Sequence, residues 1–330
     1  MVSRGFAAYT GNSCIDTSDK RAIILKIPEE LQFIANSRME QKVTNARMDG
    51  RVCVITGATS GVGYHAARRF AQGGAELVLV CRNGDKAAKV QEDLVHESGI
   101  IIDVVQADFS NLSDVRKAAA TILGNHAQID VLVNNAGIHI TRRTVTKDGF
   151  ETTFCVNHLA SFLLTRLLLE TLIKSAPARI IQVNSQGHRF GGLDLFDLNW
   201  EKRRYSGLQG YGASKTAQLL TVWELSERLE GSGVTVNAMH PGGVRTNIGM
   251  NNGLLYQWYQ RLLIWPWLKD PEISGESIYY LAAAPEMANI SGRYFNQTID
   301  EKPASHAMDR SLGKRIWKIS EEFTSLSEMD

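Results

Sequence analysis

The stretch R51-V-C-V-I-T-G-A-T-S-G-V-G63 joins a short apolar run to a cluster of glycines. The apolar run at 51–55 predicts a β-strand, and a helix is expected to begin near Val62. Glycines between them let the backbone come close to a ligand, and the helix N-terminus offers free N–H groups to an anion. A strand, a glycine-rich turn and a helix in this order predict a site for the pyrophosphate of a dinucleotide.

Further apolar runs extend this pattern toward the C-terminus. Strands are predicted at 76–81, 102–106, 130–134, 179–184 and 233–239, with helical stretches between them. This alternation predicts an α/β fold with a single Rossmann-type, doubly wound parallel sheet and helices on both faces. A chain of 330 residues, 44% of them hydrophobic, is long enough for one large domain of this kind.

A second motif, Y211-G-A-S-K215, lies well downstream. On a helix, Tyr211 and Lys215 share one face, so the ammonium can approach the phenol and lower its pKa. Ser185 ends the strand-like run R179-I-I-Q-V-N-S185 and is expected at the carboxyl edge of the sheet, where such folds bind ligands. Carbonyl reduction needs a hydride donor, a proton donor and a group that orients the carbonyl. Tyr211 is the predicted proton donor, or base in the reverse direction, and Ser185 is predicted to hold the substrate oxygen.

With N134-N-A-G137, these motifs resemble those of the short-chain dehydrogenase/reductase family, over residues 49 to 322. In detail they are similar to the branch that contains retinol dehydrogenases and related carbonyl reductases. The resemblance implies the catalytic set Asn157, Ser185, Tyr211 and Lys215, in which Asn157 helps to hold a water leading from the lysine to solvent. Asn184 stands where that branch often has a second serine, and we expect it to alter the polarity of the pocket.

The glycine-rich turn and the resemblance together predict a cofactor site. In it Asp108 and the next residue border the adenine, the lysine bonds the nicotinamide ribose, and the run His240–Thr246 passes beside the nicotinamide. The predicted cofactor-binding residues are Gly57, Ser60, Gly61, Val62, Gly63, Arg82, Lys86, Asp108, Phe109, Asn135, Ala136, Gly137, Tyr211, Lys215, Pro241, Gly242, Val244 and Thr246.

The end of the second predicted strand, L77-V-L-V-C81-R82-N83, bears on the choice of cofactor. An NAD-specific protein usually offers a carboxylate to the ribose diol at this point, whereas this chain has Cys81 and Arg82. A guanidinium can pair with a 2′-phosphate and stack on adenine, so NADP(H) is predicted, with Lys86 adding positive charge. The alternative is that Arg82 and Lys86 are solvated surface residues.

Two segments flank or interrupt this pattern. Residues 1–48 are predicted to form a partly helical extension, with a helix from Pro28 to about Val43, that packs on the domain or on a partner subunit. Residues 49–330 are predicted to form the domain, with a C-terminal substrate lid at about 247–275. The aromatic stretch at 254–268 has three interpretations: a lid over an apolar pocket, a helix of the core, or a shallow attachment to a lipid surface.

The charge balance and the cysteine pattern indicate which classes of partner to expect. The chain carries 36 Lys and Arg against 35 Asp and Glu, so no strong field favours nucleic acid, and a small molecule is the expected partner. The four cysteines lack C-x-x-C spacing, and there is neither a signal-peptide pattern nor a run of eighteen apolar residues, so a cytoplasmic protein without a membrane span is expected, peripheral lipid contact being the alternative. His188 and His240 lack metal-ligand spacing, so no metal is predicted. The helical stretches 157–174 and 214–229 could pair two subunits of a homodimer or complete a monomer's core.

The sequence therefore predicts an NADP(H)-dependent enzyme that moves a hydride between nicotinamide and the carbonyl or alcohol of an apolar small molecule. A retinoid, a steroid, a lipid aldehyde and a polyketide-like ketone all satisfy that description. Two alternatives keep the fold. One is a catalytically silent, NADP-binding regulatory or scaffold protein, and the other is a reductase of an imine or an activated double bond.

Overall fold

A computed structural model describes residues 36, 38–245, 248–249, 252–253 and 268–326. An eight-stranded sheet lies at its centre, with the spatial order β3-β2-β1-β4-β5-β6-β7-β8. The strands are β1 Val52–Thr56, β2 Glu76–Cys81, β3 Ile102–Gln106, β4 Val131–Asn134, β5 Ala178–Val183, β6 Val234–His240, β7 Tyr294–Asn296 and β8 Ile299–Asp300. Strands β1 to β7 run parallel and β8 is antiparallel to β7, so the predicted parallel sheet is confirmed.

The central strands are mainly apolar because both faces of the sheet are covered. All five residues of β1 are buried, which is the pattern of a parallel strand between two helical layers. Strand β1 pairs with β2 on one side and β4 on the other, so the direction of chain progress reverses there. The carboxyl ends of β1 and β4 therefore border a crevice, which is where open α/β sheets bind ligands.

Seven helices of the described chain cover the two faces. They are α1 Gly61–Gln72, α2 Gly84–Ser98, α3 Leu112–Asn125, α4 Thr152–Lys174, α5 Gly207–Arg228, α6 Glu272–Ala283 and α7 Arg310–Phe323. Helices α1, α2 and α6 share one apolar core with the sheet, and α3, α4, α5 and α7 share the other. Side-chain caps fix several starts: Asn83 Oδ1 accepts from Lys86 N at 2.8 Å, and Asp309 Oδ1 accepts from Leu312 N at 3.0 Å.

Helix α4 contains a π-helical turn, Cys155–Leu159, near its N-terminal end. By length and composition alone α4 could cross a membrane, but most of its apolar window is buried inside the protein. It is therefore a core helix. The π turn is of interest because such turns concentrate at functional sites, and Asn157 lies at its centre.

Helix α7 packs over α4 and α5. The Trp317 ring meets Phe162 edge to face with centroids 4.9 Å apart, and His158 Nε2 lies 2.7 Å from Ser320 Oγ. An ion pair between Arg166 and Glu321 accompanies them. Of the two roles considered for the stretches 157–174 and 214–229, these contacts favour completion of the chain's own core.

The structure departs from the sequence-based expectations at both ends of the chain. Residues 38–43 are not helical, so the predicted helix does not reach Val43. Their backbone is hydrogen-bonded to the β7–β8 hairpin instead, with Lys42 N donating to Thr298 Oγ1 at 2.8 Å. Strands β7 and β8 were not predicted because they are three and two residues long. Thr246, the stretch 254–267 and residues 28–35 lie outside the described residues.

Candidate active site

The glycine-rich turn follows β1 at the carboxyl edge of the sheet. Gly57 and Gly61 have φ angles of +70° and +55°, which L side chains rarely adopt. A Cβ on Gly63 would overlap the Gly57 carbonyl and the Asn135 side-chain amide. Ser60 stands at the N-cap of α1 without a side-chain cap bond, so the first N–H groups of the helix keep their capacity to bind an anion. The turn thus fits a pyrophosphate.

The loop after β4 is fastened to this turn by Thr56. Its Oγ1 atom accepts hydrogen bonds of 2.9 Å from both Asn135 N and Ala136 N. In return, Asn135 Nδ2 donates to Thr56 O at 2.8 Å and to Gly57 O at 3.2 Å. The structure therefore brings the N-N-A-G motif and the glycine-rich turn into one surface. Thr56 was not among the cofactor-binding residues predicted from the sequence.

The end of β2 borders the same crevice. Arg82 and Lys86 are both exposed, and among the described residues no carboxylate pairs with either side chain. Cys81 is buried; burial raises the pKa of its thiol to about 11, although backbone N–H groups of Ala58 and Thr59 oppose the shift. Two cations at the mouth of the crevice, with a neutral thiol beside them, make this end of the site suitable for an anionic group.

The next predicted pair is only partly placed at the site. Asp108 is half-buried, and its Oδ1 accepts from Ser110 N at 2.9 Å and from Ser110 Oγ at 2.8 Å. The side chain of Phe109 is buried in the core, so the expectation that it borders adenine is not met by its ring. The apolar ring is more stable among the core residues than at the crevice.

Two of the four predicted catalytic residues, Asn157 and Lys215, meet behind the loop after β4. A Cβ built on Gly137 would lie 3.3 Å from Asn157 Oδ1 and 3.8 Å from Lys215 Nζ. Asn157 Oδ1 accepts from Ile138 N at 2.8 Å, and its Nδ2 donates to Ile138 O at 3.0 Å and to Ser214 Oγ at 2.9 Å. Lys215 Nζ donates to Val183 O at 3.0 Å.

Ser185 joins this group from the end of β5. It caps a 3₁₀ turn, Gln186–Phe190, and its Oγ accepts from Gly187 N at 3.0 Å. A Cβ on Gly187 would lie 2.6 Å from Cε1 of Tyr211, so the serine turn and the tyrosine ring are in direct contact. Asn184 is buried: its Nδ2 donates to Lys215 O at 2.9 Å, and its Oδ1 accepts from Ser185 N at 2.8 Å. The Asn184 amide therefore links Ser185 to α5, and its effect on the polarity of the pocket stays a prediction.

Burial controls the titration of the tyrosine and the lysine. It raises the pKa of Tyr211 to about 12, opposed by a hydrogen bond with Ser185, and it lowers the pKa of Lys215 to about 7. The expectation that Lys215 lowers the pKa of Tyr211 is not met, since the Nζ atom is directed at the Val183 carbonyl. Both groups are shifted toward their neutral forms.

Known proteins are similar in sequence to this chain over the residues that build this site. The sequence profile described as short chain dehydrogenase matches residues 51–254. The chain belongs to the short-chain dehydrogenase family. Retinol dehydrogenase 13 of Homo sapiens is 37% identical over 319 residues, covering 95% of this chain and 94% of that protein. This short-chain dehydrogenase therefore belongs to the retinol dehydrogenase-like branch, as its sequence predicted.

Solved structures give the same fold. A putative uncharacterized protein from Mycobacterium paratuberculosis has a TM-score of 0.70 and 30% identity, covering 86% of this chain and 96% of that chain. A 3-ketoacyl-(acyl-carrier-protein) reductase from Brucella melitensis, complexed with NADH, has a TM-score of 0.59 and 27% identity, covering 77% of this chain and 98% of that chain. Membership of the family makes this short-chain dehydrogenase an oxidoreductase that uses a nicotinamide cofactor.

The remaining predicted residues of this short-chain dehydrogenase follow β6. Pro241 and Gly242 are half-buried, and Gly242 has a φ of +92°. The Val244 side chain is buried, so its backbone is the part that can face a ligand. In the described chain no cluster of three or more His, Cys, Asp or Glu is arranged to hold a metal ion. His188 is buried and His240 is half-buried, and desolvation lowers the pKa of each to about 4.

One residue of the catalytic side was missed from the sequence. The His139 ring meets the Tyr211 ring edge to face, with centroids 5.5 Å apart, and burial lowers its pKa. Asn252, within the predicted lid range, donates from Nδ2 to His139 O at 2.8 Å. The available signal was position, because His139 comes two residues after the N-N-A-G motif and so had to lie at the same edge of the sheet.

Proposed function

We propose that this short-chain dehydrogenase transfers a hydride between NADP(H) and the carbonyl or alcohol of an apolar small molecule, such as a retinoid, a steroid, a lipid aldehyde or a polyketide-like ketone. One observation carries the proposal. Ser185, Tyr211, Lys215 and Asn157 come together beside a glycine turn in which a Cβ on Gly63 has no room.

Each side chain of this group has a part in the reaction. The Ser185 hydroxyl accepts from Gly187 N, so its own proton, which bonds Tyr211, can turn to a substrate oxygen. Tyr211, with its pKa near 12, is a neutral phenol at physiological pH and so is ready to give a proton in the direction of reduction. Lys215 is fixed by its bond to Val183 O, and Asn157 fixes the loop after β4 by its bond to Ile138 O. The bound nicotinamide supplies the hydride, and the protein supplies orientation and the proton.

The preference for NADP(H) is supported by the end of β2. Arg82 and Lys86 are exposed at the crevice, and Cys81 stands where an NAD-specific site usually has a carboxylate. Thermal stabilisation by NADPH and by NADH at matched concentrations tests this, because a ligand stabilises the folded state according to its affinity. A larger shift with NADPH is expected. A larger shift with NADH would refute the cofactor preference and leave the oxidoreductase assignment standing.

Substrate class is supported by the name of the relative, Retinol dehydrogenase 13, which covers nearly the whole chain. We propose a cytoplasmic location as well, consistent with Cys53, Cys81 and Cys155 being free and buried. The interpretation of peripheral lipid contact concerns the stretch 254–268, of which only Leu268 is described.

The decisive experiment replaces Tyr211 by Phe and measures both NADPH binding and turnover of a panel of apolar aldehydes and ketones. Binding is expected to persist while turnover falls at least about a hundredfold, since the proton donor is gone. Full turnover in Tyr211→Phe would refute the mechanism. NADPH binding without turnover of any panel member by the wild type would favour the scaffold alternative, and deuteride from labelled NADPH in a C–N or C–C product would favour the imine or double-bond alternative.

A further inference from the structure

Glu301, the residue after β8, carries a carboxylate that is almost completely buried, with 1% of its side chain exposed. Its Oε1 atom accepts from Gln186 Nε2 at 2.6 Å and from Arg189 at 3.0 Å. Its Oε2 atom accepts from Asn296 Nδ2 and from Asn36 Nδ2, both at 2.9 Å. A buried carboxylate is costly unless it is paired and hydrogen-bonded, and four donors satisfy this one.

The donors lie on three separate parts of the chain. Gln186 and Arg189 belong to the 3₁₀ turn that Ser185 caps, and they also bond each other, with Arg189 Nε donating to Gln186 Oε1 at 2.7 Å. Asn296 ends β7. Asn36 belongs to the N-terminal segment that precedes the dinucleotide-binding domain. Glu301 therefore ties the serine turn to the far edge of the sheet and to the N-terminal segment.

Movement of the 3₁₀ turn Gln186–Phe190 would displace the hydroxyl groups of Ser185 and Tyr211. Ser185 Oγ accepts from Gly187 N, and Gly187 lies against the Tyr211 ring, so the turn sets the positions of both hydroxyls. Gln186 follows the catalytic Ser185 directly in the chain, and its side chain bonds the Glu301 carboxylate. Burial acts to raise the pKa of Glu301, but the bonds from Gln186, Asn36, Asn296 and Arg189 outweigh it and hold the pKa below its ordinary value.

We propose that Glu301 is a positioning residue for Ser185, and that Asn36 of the N-terminal segment completes the set of donors that holds the carboxylate in place. The inference deepens, and rests on, the proposed carbonyl chemistry of the same site. It gives residues before the domain a part in catalysis through two hydrogen-bonded contacts.

The test compares single-turnover hydride transfer in Glu301→Gln and in Glu301→Gln combined with Ser185→Ala. Alone, Glu301→Gln is expected to slow the step about ten- to a hundredfold, since small misplacements of a reacting group have effects of that size, with NADPH affinity unchanged. In the Ser185→Ala background it should slow the step less than about twofold, because residues acting through one group are not additive. Equal effects in both backgrounds would overturn the positioning role.

Glu321→Gln is the matched control. It neutralises another buried carboxylate, whose side chain is 5% exposed and whose partner is Arg166. Glu321 lies on α7, which carries no proposed site residue, and Arg166 lies on α4 outside the π turn that contains Asn157. Its thermal stability should fall while its hydride-transfer rate stays within about twofold of wild type. A rate loss in Glu321→Gln as large as in Glu301→Gln would show that general destabilisation is the cause, and the inference would fail.

Asn36→Asp tests the N-terminal contact. The new carboxylate would face Glu301 across a contact of 2.9 Å in place of the Asn36 donor, and the two carboxylates would repel each other once both are ionised. Relative to wild type, the rate should fall at pH 8 and recover at pH 5.5, where a proton restores a donor; Asn36→Ala should be impaired equally at both. Three titratable groups near Glu301 stay out of that window, since the pKa values of His188 and His240 are about 4 and that of Tyr294 lies well above 10.

An Asn36→Asp variant as fast as wild type at pH 8 would remove the N-terminal segment from the proposal. The result with Tyr211→Phe separates the two levels of argument. Full turnover in Tyr211→Phe refutes the proposed function itself, whereas loss of turnover there with additive effects of Glu301→Gln and Ser185→Ala refutes only the role of Glu301.

Discussion

The Lys215 ammonium lies 5.7 Å from the centroid of the Tyr211 ring and directs a hydrogen bond of 3.0 Å to the Val183 carbonyl. The two side chains share a helix face as their spacing requires, but the lysine does not bond the phenol. Burial then acts on each separately, raising the pKa of the tyrosine to about 12 and lowering that of the lysine to about 7. The lysine is consequently near its titration point at neutral pH.

Lys215→Met is expected to alter the pH dependence of stability. In the unfolded chain a lysine binds its proton up to about pH 10.4, whereas folded Lys215 releases it near pH 7. The unfolded state therefore holds more protons between these values, so this residue makes the wild type more stable as pH rises from 7 toward 10. The Tm of Lys215→Met relative to wild type should fall over that range. Lys174→Met, at an exposed lysine, is the control, and parallel Tm curves for Lys215→Met and wild type would contradict the assignment.

Arg82→Asp is expected to reverse the cofactor preference. The aspartate would repel a 2′-phosphate and accept from a ribose diol, so NADPH affinity should fall by about one to two orders of magnitude while NADH affinity rises. Fluorescence titration at fixed ionic strength measures both constants. Lys89→Asp makes the same change of charge on α2, one turn beyond Lys86, and should affect both cofactors little. Unchanged NADPH affinity in Arg82→Asp would assign Arg82 to the solvated surface.

The parts of this molecule that were predictable from sequence are those encoded locally. Mainly apolar runs marked β1 to β6, and the run is nearly continuous in β1 because all five of its residues are buried between two helical layers. Strand β7, Y294-F-N296, is too short to show any periodicity, and its place was set by pairing with β6. The helix expected to reach Val43 had good local signals, but the β7–β8 hairpin offered residues 41 and 42 other hydrogen-bond partners.

The candidate site also combines features that are encoded locally with features that form only when the chain folds. Glycines with positive φ and the Tyr–Lys spacing are local properties, and they were found. The bonds from Asn135 to Thr56 and from Gln186 to Glu301 join residues 79 and 115 positions apart, so only the folded chain reveals them. The target of Asn184 was missed for the same reason, since its amide turns toward the backbone of α5.

Three histidines with lowered pKa values are expected to make the protein sensitive to mild acid. Burial lowers the pKa of His158 to about 3 and those of His188 and His240 to about 4. Below pH 6.5 the unfolded chain binds protons that the folded chain does not, so stability falls as pH drops, by up to about 1.4 kcal/mol per pH unit for each histidine.

His158→Phe tests this dependence at the most strongly shifted histidine. The ring lies between Phe154 and Phe162, so Phe fits the surroundings but loses the contact with Ser320. Its Tm should be lower than that of wild type at pH 7.5, yet fall less between pH 6.5 and 4. His96→Phe on the exposed face of α2 should leave the slope unchanged. A slope in His158→Phe equal to that of wild type would contradict the prediction.

Gly187→Ala is expected to impair the chemical step more than cofactor binding. An added Cβ would lie 2.6 Å and 2.8 Å from two carbons of the Tyr211 ring, closer than unbonded atoms approach, so the ring or the serine turn must move. A displacement of that size should slow hydride transfer about ten- to a hundredfold while NADPH affinity stays near wild type. Gly192→Ala, five residues further on, meets no atom within 4 Å and is the matched control, expected to retain the wild-type rate. If single-turnover measurements gave the two variants equal rates, the contact between the serine turn and Tyr211 would have no part in placing the proton donor.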